Sequence, residues 1–276
     1  MNRIEARDGT QLYVKTVGTG RPVVLIHGWP LSADSWDPQM IALAEAGYRA
    51  IAYDRRGFGR SDQPPTGYDY DTFADDLADV MQATGAAENV ALVGFSMGGG
   101  EVARYMSRHD GKGVSQAALV SSVVPYLLKA DDNPDGVPQS VFDGMTQGMR
   151  KDFRQFFKDF FKTFYGVGML SHPVSDAELE WAWMTSQMAG QYPVLQAAKA
   201  FSTTDFRPDL TSLTVPTLVI HGTGDQIVPI DLTSRVVAKQ VPSARLIEYD
   251  GEPHAVFATQ KDRLTQDLLE FLGSRG

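Results

Sequence analysis

The sequence predicts an α/β protein, a mostly parallel, doubly wound sheet with a helical cap inserted between two of its strands. Three observations carry this. Short β-branched runs alternate with helical patterns along the 276 residues, the alternation that builds a parallel sheet covered by helices. The runs are continuously apolar, as strands buried on both faces are. The alternation also stops at Ser122 and resumes after Leu210, so the segment between reads as an insertion into one structural domain.

The elements follow in order. Gln11-Leu-Tyr-Val-Lys15 alternates, with Asp8-Gly9 before it, and reads as an antiparallel edge hairpin. Pro22–Ile26, Arg49–Tyr53, Asn89–Val93, Gln116–Val120, Pro216–Ile220 and Ala244–Tyr249 read as buried strands. Phe73, Leu77, Val80 and Met81 recur at helical spacing, as do Leu264, Leu268 and Leu272. Residues 1–121 and 211–276 thus form the core, and 122–210 the cap. The cap opens on Asp131-Asp-Asn-Pro-Asp-Gly136 and then turns helical. Phe153, Phe156, Phe157, Phe160, Phe161 and Phe164 make one stripe, with Arg154, Lys158 and Lys162 on the other face. A helix packing its apolar face onto the body accounts for the periodicity. Six phenylalanines exceed what anchoring requires, so part of the stripe is expected to roof an apolar pocket.

Composition removes several classes of function. With no cysteine, disulfides, thiolate metal sites, iron–sulfur clusters and a cysteine nucleophile are excluded. Lys plus Arg number 25 against 34 Asp plus Glu, a net charge of −9. That field repels phosphate backbones and anionic membranes, so neither nucleic acid nor membrane is expected as a partner. No apolar run approaches the roughly 20 residues of a membrane span. Met1-Asn-Arg-Ile-Glu5 has no apolar secretory core, so the expected compartment is the cytoplasm.

The most informative stretch is Val90-Ala-Leu-Val-Gly-Phe-Ser-Met-Gly-Gly-Gly100. Gly94-x-Ser96-x-Gly98 follows an apolar strand and precedes the helical pattern of Val102, Tyr105 and Met106. That strand–turn–helix context is the one in which a serine serves as a nucleophile. A hydroxyl held at the carboxyl end of a strand needs a turn so tight that side chains two residues away would clash, and glycine removes them. Three successive glycines open the helix, each costing about 1 kcal/mol relative to alanine in a helix interior. Close packing beneath a strained turn supplies the reason.

Serine needs a base and an orienting acid, and in a doubly wound sheet both lie past the carboxyl ends of later strands. His221-Gly-Thr-Gly-Asp225 follows one such strand and Asp250-Gly-Glu-Pro-His254 another. Asp225 and His254 are therefore the expected acid and base. His109 at a helix end, His172 in the cap, His221 ending a strand and His27 are the rival histidines, with structural roles expected. Asp250 lies on the histidine's own loop and Asp231 begins a helix. No two histidines have metal-pair spacing. The oxyanion requires two donors. Met97, directly after the nucleophile at a helix N-terminus, offers one N–H. His27-Gly-Trp-Pro30 follows the Pro22–Ile26 strand, and because Pro30 has no N–H, Trp29 is the second donor.

These segments resemble the α/β-hydrolase superfamily, in its cofactor-free (non-haem) haloperoxidase, aryl esterase and perhydrolase branch. The resemblance is carried by His27-Gly-Trp-Pro-Leu-Ser32, Tyr53-Asp-Arg-Arg-Gly-Phe-Gly-Arg-Ser-Asp62, Tyr68-Asp-Tyr-Asp-Thr-Phe-Ala-Asp75 and Gly94–Gly100. Thr204-Asp-Phe-Arg-Pro-Asp209 and His221-Gly-Thr-Gly-Asp-Gln-Ile-Val-Pro229 extend it. It implies the α/β-hydrolase fold, the triad Ser96, Asp225 and His254 in that chain order, and oxyanion donors Trp29 and Met97. It further implies an acyl pocket near Val123, Phe160, Phe201 and Ile227; Trp181 and Trp183 find no counterpart. The implied chemistry is carboxylic ester hydrolysis through an acyl-enzyme. Hydrogen peroxide can replace water to give a peracid that oxidises halide. The implied substrates are a small-molecule ester or carboxylic acid and peroxide, with no cofactor and a homo-oligomeric assembly. Proline after the tryptophan resembles members called haloperoxidases, and Pro30 is expected to turn the Trp29 carbonyl towards bound peroxide. Lactam opening, carbon–carbon hydrolysis and a non-catalytic ligand-binding protein of the same fold are the alternatives. Ser96 speaks against dehalogenase and epoxide hydrolase chemistry, which uses aspartate there. No Gly-x-Gly-x-x-Gly opens a helix after the first strand, which speaks against a dinucleotide-dependent oxidoreductase.

Overall fold

A computed structural model describes residues 2–274. Among them the strands are β1 (Arg3–Glu5), β2 (Gln11–Gly18), β3 (Pro22–Ile26), β4 (Arg49–Tyr53), β5 (Val90–Phe95), β6 (Val114–Val120), β7 (Thr217–Gly222) and β8 (Ala244–Tyr249). They form one sheet in the order β1-β2-β4-β3-β5-β6-β7-β8. β1 and β2 are antiparallel to their neighbours, and every pairing from β4 to β8 is parallel. The chain steps from β3 to β4 on one side and returns to place β5 on the other. β3 and β5 therefore flank the switch point, where doubly wound sheets bind ligands at their carboxyl edge.

Helices α1 (Asp37–Glu45), α2 (Tyr70–Ala83) and α3 (Met97–Arg108) alternate with the first strands. Between β6 and β7 come α4 (Gln139–Lys151), α5 (Phe153–Tyr165), α6 (Asp176–Met188) and α7 (Gln191–Thr203). The chain finishes with α8 (Ser234–Gln240), α9 (Val256–Thr259) and α10 (Lys261–Gly273). α2 begins where Asp69 accepts the Thr72 N–H at 2.9 Å, an N-cap that satisfies one orphan donor of the first turn. It buries Phe73, Leu77, Val80 and Met81 as its spacing predicts, and α10 buries Leu264, Leu268 and Leu272.

Two strands run longer than the sequence suggests. β5 continues through Gly94 and Phe95, which pair with Leu119 and Val120. β7 continues through His221 and Gly222, which pair with Glu248 and Tyr249. Histidine and glycine read as strand-ending residues, but the neighbouring ladders hold both in the sheet.

In the inserted segment, α5 starts at Asp152, which caps the Gln155 N–H at 2.9 Å, and ends at Gly166 with φ 72°. Phe153, Phe157, Phe161 and Phe164 are buried, while Phe156 and Phe160 remain partly open. The stripe thus anchors and roofs at once. Trp183, on α6, donates its indole N–H to the Arg154 carbonyl at 3.0 Å and lies under the Lys158 ammonium, binding α6 to α5. The Trp29 indole N–H donates to the Val194 carbonyl on α7 at 3.0 Å, and Phe157, Phe160 and Phe201 surround its ring at 5.2 to 5.5 Å.

Candidate active site

Ser96 sits between β5 and α3 with φ 53° and ψ −118°, a strained backbone for a residue with a side chain. Glycines make this turn possible. A Cβ on Gly94 would lie 2.4 Å from the Gly98 carbonyl oxygen, and one on Gly98 would lie 2.5 Å from that of Ile26. On Gly99 it would meet the Ser122 hydroxyl, and on Gly100 the rings of Tyr70 and Phe206. Every glycine in the run is therefore required by packing, which explains the weak helix start.

The loops after β7 and β8 deliver the other two groups. His254 Nε2 lies 2.9 Å from Ser96 Oγ, and His254 Nδ1 lies 2.6 Å from Asp225 Oδ2. The imidazole is wedged between Phe95 and Phe164, with ring centroids 5.0 and 4.9 Å away. Its loop is tied to α5 where the Ala255 N–H donates to the Phe164 carbonyl at 3.1 Å. Asp225 Oδ1 accepts the N–H groups of Ile227 and Val228 at 2.8 and 2.9 Å. Burial opposes the charged carboxylate, but the imidazoles of His254 and His221 outweigh it and hold Asp225 well below the usual carboxylate range. All three side chains are buried.

β3 and β5 pair in parallel with Ile26 opposite Gly94, so the His27–Pro30 loop emerges beside Ser96. The backbone N–H groups of Trp29 and Met97 donate to no acceptor among the described residues. Both are thus unengaged, a condition an oxyanion donor must meet. A buried network fastens the two sides together. Arg55 pairs with Glu101 on α3, donates to the His27 carbonyl at 2.6 Å, and offers its own N–H to His27 Nε2 at 3.0 Å. Tyr53 donates to the other Glu101 oxygen at 2.5 Å. Burial first, then the nearby Arg55 charge, pushes the His27 imidazole well below its ordinary value, consistent with a neutral, structural ring.

A cavity of about 590 Å³ opens onto Ser96 and His254. Val123, Phe160, Phe201 and Ile227 all line it, alongside Trp29. Sequence reasoning missed the wall given by Leu127, Val137 and, on α4, Val141, Phe142 and Met145. Only long-range packing brings these ordinary apolar residues to Ser96, so no local signal announces them. The rival residues lie elsewhere. His109 Nε2 lies 2.9 Å from Asp75 and its ring stacks on Tyr105; His172 is exposed. Asp231 pairs with Arg235 at 2.7 Å, in a 3-10 turn, and Asp250 accepts from Thr223 at 3.3 Å. His221 is buried within β7, yet its Nε2 also reaches Asp225 Oδ2, at 3.0 Å. Its place at a strand end, four residues before the acid, was legible; the contact was not, because it depends on the Asp225–Val228 turn folding back onto the ring.

Known proteins resemble the chain in sequence and fold. Residues 21–260 match the family described as alpha/beta hydrolase fold. The chain is 43% identical over 268 residues to the non-heme chloroperoxidase CPO-A1 of Kitasatospora aureofaciens, covering 96% of this chain and 97% of that one. It is 39% identical over 278 residues to the bifunctional esterase/perhydrolase DCH of Acinetobacter calcoaceticus, covering 99% and 100%. The crystal structure of bromoperoxidase from Bacillus anthracis superposes with a TM-score of 0.94 at 40% identity, over 99% of this chain and 100% of that one. The chain belongs to the α/β-hydrolase fold family, in the branch of the non-heme haloperoxidases and esterase/perhydrolases.

Proposed function

We propose that this protein is a serine carboxylesterase that also acts as a perhydrolase, forming peracids that oxidise halide without a cofactor. The observation that carries the reading is the continuous relay from Asp225 through His254 to Ser96, 2.6 and 2.9 Å long, opening on an apolar cavity beside two unengaged N–H donors. Ser96 Oγ attacks the ester carbonyl while His254 Nε2 takes its proton. Asp225 holds the ring through Nδ1 and stabilises its charged form. Negative charge developing on the carbonyl oxygen meets the N–H groups of Trp29 and Met97. The alcohol leaves with the proton from His254, and Ser96 remains acylated. Water, deprotonated by His254, then releases the acid. Hydrogen peroxide in the same place releases a peracid, and the peracid oxygen oxidises bromide or chloride to hypohalous acid as the carboxylate re-forms. Val123, Phe160, Phe201 and Ile227 form the wall for the acyl group, an apolar surface suited to uncharged chains.

The resemblance of the chain to DCH, whose name joins esterase and perhydrolase, and to CPO-A1 supports the dual chemistry. Turnover of p-nitrophenyl acetate, with and without peroxide in acetate buffer, tests it. The wild type is expected to release a burst of nitrophenol and, with peroxide and bromide, to brominate a dye; Ser96→Ala is expected to do neither. Activity surviving in Ser96→Ala defeats the reading. Self-association and residence in the cytoplasm belong to the same proposal, checked by light scattering and by cell fractionation.

A further inference from the structure

Asp225 is gripped by a group outside the triad. Its Oδ2 lies 2.6 Å from His254 Nδ1 and 3.0 Å from His221 Nε2. His221 Nε2 is also 2.8 Å from the Val228 carbonyl, and its Nδ1 is 2.7 Å from Ser234 Oγ. A ring nitrogen facing two acceptors must carry hydrogen, whereas one facing a hydroxyl can accept. The geometry therefore specifies Nε2–H on His221, with Ser234 donating to Nδ1.

We propose that His221 is a positioning residue of the triad, its Nε2–H shared between Asp225 and the Val228 carbonyl so as to orient the carboxylate and limit its pull on the His254 proton. The inference rests on the hydrolase reading above. The shared donor takes up part of the negative charge on the oxygen that faces His254. Without it, the whole carboxylate charge falls on His254, its protonated form gains, and the acid limb of kcat/KM moves to higher pH. The same N–H bridges Asp225 and Val228, closing the turn whose Ile227 and Val228 line the cavity. Other groups near these rings are accounted for. Glu248 stands opposite His221 on β8 and is paired with Arg235 at 2.7 Å. His254 faces Ser96, Asp225 and the rings of Phe95 and Phe164, and Asp159 lines the same cavity.

The test is the pH profile of kcat/KM on p-nitrophenyl acetate for His221→Leu, His221→Asn and His221→Gln, with circular dichroism to establish folding. His221→Leu removes the donor. His221→Asn keeps an amide near Ser234 that ends short of Asp225. In both, the acid limb is expected to rise by about half to one pH unit, with kcat down roughly tenfold and KM within about twofold. His221→Gln, whose terminal amide reaches the Nε2 position, is expected to return the limb to the wild-type pH. An unmoved limb in whichever of His221→Leu and His221→Asn folds overturns the proposal, because a packing role alone lowers kcat without moving it. Ser96→Ala separates the two levels. If it is inactive while the limb stays put, only the role of His221 fails; if it stays active, the hydrolase reading fails and takes this inference with it.

Discussion

Substituting Gly98 by alanine perturbs the proposed oxyanion site while leaving every proposed catalytic side chain in place. The added Cβ would lie 2.5 Å from the Ile26 carbonyl oxygen and 3.0 Å from that of His27, both backbone atoms. Restoring the roughly 3.3–3.6 Å of an ordinary carbon–oxygen contact requires the start of α3 to move about 0.8–1.1 Å from the end of β3 and about 0.3–0.6 Å from the His27 carbonyl. The start of α3 carries the Met97 N–H and the loop leaving β3 carries that of Trp29, so the shift widens the proposed oxyanion site. A misplacement of about 1 Å costs on the order of 100-fold in rate, and loss of one donor costs about 10²–10³. Helix propensity works the other way, favouring alanine by about 1 kcal/mol, against about 1–3 kcal/mol for overpacking. The variant is therefore expected to stay folded while kcat falls roughly 100-fold and KM changes little. Kinetics on p-nitrophenyl acetate and a urea titration check both halves. Gly144→Ala is the control, because nothing lies within 4 Å of its added Cβ on α4; it is expected to gain up to about 1 kcal/mol at unchanged activity. A folded Gly98→Ala retaining half the wild-type kcat would refute the reasoning.

Other consequences follow from the same packing. Glu101→Gln strips the buried Arg55 guanidinium of its counter-charge and is expected to cost about 3–5 kcal/mol in urea denaturation. Asp8 is disfavoured by burial, but its bonds from Arg56 at 2.7 Å and the Thr10 N–H at 3.0 Å lower its carboxyl to about 2. Its folded value lies below the roughly 3.9 of a free aspartate, so the stability it lends is present above that pH and is lost as pH falls through 2. Because Asp8 is half exposed, Asp8→Asn is expected to cost under about 1 kcal/mol at pH 7, with the two urea midpoints converging at pH 2. Pro30→Leu is expected to lower the ratio of perhydrolysis to hydrolysis, since the Trp29 carbonyl accepts no hydrogen bond from the described residues and is left to a bound peroxide. An unchanged ratio, read by parallel peracid and ester assays, contradicts that role.

What the sequence disclosed was whatever local backbone chemistry forces. Gly94, Ser96 and Gly98 are written into the chain because the turn admits nothing larger, and the continuous apolar runs are written because β3, β5 and β6 are covered on both faces. Asp225 and His254 were legible from their places past strand ends, without any contact being visible. The α4 wall of the cavity was not legible. Val141, Phe142 and Met145 become pocket residues only when α4 packs beside α5 and α7, and an amphipathic helix looks the same whichever apolar surface it meets. His221 was hidden for a related reason. Its contact with Asp225 depends on the turn after β7 folding back onto the ring, which a histidine at a strand end does not announce.

The most direct measurement is covalent labelling with a fluorophosphonate, which reacts with an activated serine hydroxyl. One equivalent is predicted to attach, on the peptide bearing Ser96, with esterase and brominating activities lost in parallel and no labelling of His254→Ala. Attachment at another residue, or full activity in the labelled protein, would contradict the account.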